Sequence, residues 1–151
     1  MNSRCNKGIH PGSFVFLAVM LVTLPIYQAQ AGKTENCFLD IEPDVGVMWL
    51  HSTSTNHGTW VRAPQEINNL VQLEASWDSG FMETKSFSGD ISYEIGDTET
   101  YINIHLACNA MTGDSNSVIW MYTKCSLSGN DPDSYTCSRL EGTDSFVVRA
   151  K

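Results

Sequence analysis

Three features of the sequence predict an all-β fold, a single antiparallel β-sandwich of about seven to nine strands. Apolar residues recur at every second position in several runs, turn-forming residues separate those runs, and no stretch sustains the period of an amphipathic helix. The alternation is plainest at Ile91, Tyr93 and Ile95, with Asp90, Ser92 and Glu94 between them. It returns at Ile102, Ile104 and Leu106, interleaved with Tyr101, Asn103 and His105. Gly96, Asp97, Thr98 and Glu99 separate the two runs, a polar turn whose glycine tolerates positive φ, so the pair reads as a central hairpin.

The remaining elements follow in order. Cys37–Ile41 and Val45–Leu50 are rich in β-formers and read as the first two strands, with Pro43 and Asp44 between them. Asn56, His57 and Gly58 form a turn signal, Thr59–Val61 resumes an extended segment, and Pro64 stops it or confines it to an edge. Val71, Leu73, Ala75 and Trp77 alternate inward before a turn at Asp78–Gly80. Thr112–Asn116 reads as a loop, and the nearly continuous apolar run Val118–Tyr122 suits a strand buried on both faces. Ser126–Ser134 is the most loop-like stretch, and Ser145–Arg149 closes the fold.

The N-terminus has the order of a secretory signal peptide. Arg4 and Lys7 precede the apolar run Phe14–Leu24, and Ala29, Gln30 and Ala31 supply a small-x-small cleavage site. The run falls well short of the ~20 residues that span a bilayer, and Pro25 closes it. Residues 1–31 are therefore expected to be removed, leaving one domain over residues 32–151, enough chain for one core. Seven basic residues then remain against seventeen acidic ones, a charge of about −10. That balance, with no basic cluster, argues against nucleic acid and against strongly anionic lipid; solubility is its ordinary explanation.

Cys37, Cys108, Cys125 and Cys137 stay with the mature chain, and an even count in an oxidising compartment suggests two disulfides. Four cysteines permit three pairings. We favour Cys125 with Cys137, clipping a local hairpin, and Cys37 with Cys108, tying the first strand to the middle of the sheet. Zinc is disfavoured because no pair has the short spacing of a metal knuckle.

The segment from Gly58 to Asn116 carries a family likeness. Gly58 and Trp60, then Pro64 and Ile67, Ala75 and Ser76, Gly80, Phe81 and Met82, then Ser88, Gly89, Ile91 and Tyr93, and a strand leading to Gly113 and Asn116, resemble aegerolysin-like proteins. More loosely they resemble actinoporin-type cytolysins. The resemblance implies a compact β-sandwich that recognises membrane lipid, alone or with a pore-forming partner. His105–Ala110 lacks the tryptophan and proline that the family commonly carries before its glycine-asparagine loop. The short polar stretch from Gly32 to Cys37 also leaves no room for the helix that actinoporin-type toxins insert, which argues against a pore made by this protein alone.

Trp49, Trp60, Trp77 and Trp120 are many for so short a domain, and tryptophan suits a membrane interface as well as a core. Trp77 and Trp120 sit in apolar patterns and are expected in the core, whereas Trp60, beside the Gly58 turn, is the one expected to be exposed. Phe81 and Met82 are apolar at a loop tip that could enter a bilayer or a partner's groove, packing beneath the loop being the ordinary alternative. His51, His57 and His105 bound any general-base chemistry. No nucleophile elbow, zinc-protease helix or phosphate-cradling loop is present, and no carboxylate pair stands out for glycoside cleavage. Asn130–Asp133 and Asp114–Asn116 offer oxygen ligands without the spacing of a calcium loop.

These residues describe a secreted interaction protein without catalysis or cofactor, toxin-like or effector-like. Its expected partner is a zwitterionic lipid or a sphingolipid with sterol, met by Trp60, Phe81 and Met82. The alternative is a protein or glycan partner with no membrane activity; in the protein reading the acidic surface meets a basic partner and the aromatics stay in the core.

Overall fold

In the computed structural model, which describes residues 33–79, 86–112 and 117–151, alternation translates directly into two stacked sheets. The strands are β1 (Lys33–Asp44), β2 (Met48–His57), β3 (Thr59–Arg62), β4 (Glu66–Ile67), β5 (Val71–Ser79), β6 (Ser86–Ile95), β7 (Thr100–Thr112), β8 (Ser117–Gly129), β9 (Tyr135–Arg139) and β10 (Ser145–Ala150). The first sheet has the order β3-β5-β1-β10-β9 and the second β4-β2-β6-β7-β8. The count rises to ten because two-residue β4 and β9 both pair. Pairing is antiparallel except between β1 and β10, which run parallel.

The inner faces supply one core. Leu39 and Ile41 on β1, Leu73, Ala75 and Trp77 on β5, and Phe146 and Val148 on β10 face Phe87, Ile91, Tyr93 and Ile95 on β6 and Ile102, Ile104 and Leu106 on β7. The expected central hairpin is β6 and β7, paired from Ser86 with Asn109 to Glu94 with Tyr101. Both Gly96 and Glu99 take positive φ in its turn, and the Glu94 carboxylate accepts from the Glu99 N–H at 3.0 Å.

Both favoured disulfides form, and both cross from one sheet to the other. Cys37 on β1 is bonded to Cys108 on β7. Cys125 on β8 is bonded to Cys137 on β9, closing the side of the sandwich and not clipping a hairpin, because β8 and β9 belong to different sheets.

Other elements depart from expectation for local reasons. Val45 and Gly46 belong to the turn, so the second strand starts at Met48 and runs on to His57. At Gly58 the chain does not reverse but steps from the second sheet into the first. Gly58 has φ +76, and a Cβ there would lie 2.4 Å from the Ser76 carbonyl oxygen, so a side chain is excluded twice over. The first residues of the stretch read as loop, Ser126–Gly129, complete β8, which is followed by one 3₁₀ turn at Pro132–Ser134. Val118–Tyr122 is not buried on both faces: β8 is an edge strand, and the alternate residues Trp120 and Tyr122 face outward.

Two stability experiments follow. Closing longer loops removes more chain entropy, so replacing Cys37 and Cys108, 71 residues apart, should cost about 4 kcal/mol and replacing Cys125 and Cys137, 12 apart, about 3 kcal/mol. Urea unfolding of the two Cys→Ala pairs measures that order.

Tyr93 is fully buried and its hydroxyl has no hydrogen-bond partner among the described residues. Desolvation there raises its pKa above the ordinary 10.0. Above that pH the unfolded chain releases a proton that the native chain keeps, so this contribution to stability is intact below pH 10 and declines as pH rises through it. Tyr93→Phe should gain about 1 kcal/mol at neutral pH, by relieving an unpaired buried hydroxyl, and should flatten the alkaline loss. Denaturant melts from neutral to alkaline pH test both.

Candidate aromatic face of the second sheet

Placement of the four tryptophans separates structural from available side chains. Trp77 is in the core, as expected. Trp60 is half-buried: its indole meets Phe87 edge-on at 5.0 Å, and its Nε1 donates to the Ser54 carbonyl at 3.2 Å. Gly89 makes room for it, since a Cβ there would lie 3.1 Å from that nitrogen and 2.8 Å from the Phe87 ring. The tryptophan expected to be exposed is thus engaged in packing. Phe81 and Met82 lie outside the described residues, as does the loop at 113–116.

Trp120, expected in the core, is 63% exposed, and Tyr122 beside it on the same face of β8 is 62% exposed. Their direct cross-strand neighbours on β7 are Asn109 and Ala107, so no large side chain stands opposite either ring, and His105 reaches Tyr122 only from the diagonal position. Ile119, 40% exposed, adds an apolar side chain at the same edge. Ser86, where the chain re-enters after the segment holding Phe81 and Met82, pairs with Asn109 in the same row as Trp120.

Across the rest of this outer face, rings alternate with hydrogen-bonding groups. Ser92 donates to the Asn103 amide oxygen at 3.0 Å, and the Asn103 amide nitrogen donates to Ser128 at 2.8 Å, forming a polar ladder over β6, β7 and β8. His105 Nδ1 lies 2.8 Å from an Asp90 carboxylate oxygen, and its ring meets Tyr122 at 6.4 Å. His51 lies against Tyr101 with centroids 4.5 Å apart. Trp49, 44% exposed, occupies the opposite corner, in the row of Tyr101. That row is eight residues along β7 from the row of Trp120, about 27 Å at strand spacing.

This arrangement is an open sheet face of rings and hydrogen-bonding groups, suited to contact over an area. Among the described residues no group of three or more His, Cys, Asp or Glu side chains is arranged to hold a metal ion, and no helix is long and apolar enough to cross a membrane. Comparison with protein-family models, curated proteins and solved structures found no match to this chain.

The two tryptophans should respond oppositely to truncation. Trp60→Ala removes packing on Phe87 and a hydrogen bond and should cost about 2 kcal/mol or more. Trp120→Ala should stay within about 0.5 kcal/mol of the parent, as exposed substitutions do. Chemical denaturation of both variants decides whether Trp120 is free.

Proposed function

We propose that this chain is a secreted, non-catalytic interaction domain, toxin-like or effector-like. In this reading it lays Trp120 and Tyr122 against a membrane interface of neutral or zwitterionic lipid, such as a sphingolipid with sterol. The observation that carries it is the pair of adjacent, outward, more than half-exposed rings on one strand. Tryptophan and tyrosine suit the headgroup level because each joins an apolar body to a polar tip. The run Ser117–Thr123 bears no charge that would have to be desolvated. A mature charge of about −10 keeps anionic headgroups unfavourable, so apolar contact must supply the affinity.

Secretion is supported by the signal-like N-terminus and by two disulfides, which persist in oxidising compartments. The lipid reading also agrees with the aegerolysin-like resemblance, with the contact moved from Trp60 to Trp120 and Tyr122. Phe81 and Met82 remain part of the proposed contact, because their segment rejoins the sheet in the row of Trp120.

A protein or glycan partner is the second reading, favoured by the Ser92–Asn103–Ser128 ladder and by Trp49 on the same face. Such a partner would stack on the rings and meet the ladder through its own hydroxyl or amide groups.

Co-sedimentation with vesicles separates the readings. If each ring buries ~80 Å² of apolar area, it contributes about 2 kcal/mol, so Trp120→Ala with Tyr122→Ala should weaken binding to neutral vesicles by well over tenfold. Trp49→Ala should leave it unchanged. Binding that survives loss of both rings would move the contact elsewhere, and no binding to any vesicle would leave the protein or glycan partner.

A further inference from the structure

We infer that the outer edge of β8, from Val118 to Lys124, pairs with the same segment of a second copy of this chain, antiparallel about a two-fold axis at Met121. Among the described residues this segment pairs only with β7, through an unbroken register from Thr112 with Ser117 to Thr100 with Gly129. On its other side β9 belongs to the opposite sheet and is tied to β8 further along, at Cys125. The backbone groups facing away from β7 before that point therefore have no strand partner among the described residues.

Among the described residues the other sheet edges are short or interrupted. β4 has two residues and leaves β2 open beyond Trp49, where two register shifts break its line, β3 has four with a register shift and Arg62, and β9 has five and ends in Arg139. Natural edges avoid mispairing by brevity, bulges, proline or charge. Ser117–Thr123 uses none of these: it is long, regular, proline-free and uncharged. An edge so open and regular, where the other edges among the described residues are short, charged or broken by register shifts, reads as an interface.

Self-complementarity selects a second copy as the occupant. With Met121 opposite its twin, Trp120 falls opposite Tyr122 of the second copy, and symmetry repeats the pair. Cross-strand aromatic pairs are among the stabilising combinations in sheets. Ile119 falls opposite Thr123 and Lys124 opposite Val118, so no like charges face each other and no acidic residue of β8 enters the seam. Two chains of about −10 each repel at long range, and a seam without acids is where they can meet. The axis lies normal to the sheet, so both outer faces point the same way and their four rings form one continuous patch. The pairing stands on edge geometry alone and does not depend on the lipid reading.

Sedimentation velocity of the mature chain over a concentration series, without lipid, tests it together with amide hydrogen exchange. The expected result is a reversible dimer, with exchange at Val118–Thr123 slowing as concentration rises. Trp120→Lys with Tyr122→Lys places like charges opposite each other twice and should weaken the dimer at least tenfold, and Tyr122→Lys alone should weaken it in the same direction. Circular dichroism checks that both variants fold. A parent that stays monomeric at every concentration overturns the inference and leaves this edge to a strand of another protein. A dimer that survives both variants, or that leaves exchange at these amides unchanged, overturns it as well.

Discussion

Everything in this domain depends on holding two five-stranded sheets face to face across a core one side chain deep on each side. Each strand supplies only its alternate residues to that core, so the apolar contribution per residue is modest and the sheets need to be kept from sliding apart. Both disulfides act at this point. Cys37–Cys108 lies within the buried layer between β1 and β7, and Cys125–Cys137 joins two edge strands at the side. The Gly58 corner does the same by chain connection, carrying the backbone from one sheet to the other at a place where no side chain fits.

Once the inner faces are committed to the core, the outer faces are free to differ. Outside the second sheet, polar groups pair across strands, as Ser92, Asn103 and Ser128 do, while His51 with Tyr101 and His105 with Tyr122 set rings among them. Across β6, β7 and β8 these side chains stand on an unbroken ladder of backbone pairing, which holds them in place. A preorganised aromatic surface loses little conformational freedom on binding. Trp60 shows the contrast: lodged over Gly89 and against Phe87, it stabilises the corner near Gly58 and has little left to offer a ligand.

How much of this could be read from the chain varies by residue. The central hairpin was legible in full, since Ile91, Tyr93 and Ile95, and then Ile102, Ile104 and Leu106, alternate with polar residues without interruption and prove buried. Both disulfide pairings were also reached from the sequence, though their geometry was not. Closeness in sequence favours a hairpin between Cys125 and Cys137, whereas the chain uses the 3₁₀ turn at Pro132–Ser134 to pass from one sheet to the other. Read as an isolated apolar run, Val118–Tyr122 places Trp120 in the core, where the structure does not put it. Extending the period backward from Ser128, Ser126 and Lys124, which are polar and in phase, puts Tyr122 and Trp120 on the outer face, with Leu127, Cys125, Met121 and Ile119 on the inner.

What the sequence by itself determined is therefore the local periodicity: which residues form strands, which face of the central strands is apolar, and where glycine must turn the chain. Those properties depend on neighbours within a few positions. Only the tertiary structure decided that β8 is an edge, that Trp60 is packed and Trp120 exposed, and that both disulfides join opposite sheets. The physical reason is that exposure of a strand residue depends on whether another strand or sheet covers it, and that partner can lie a hundred residues away, as β1 and β10 do.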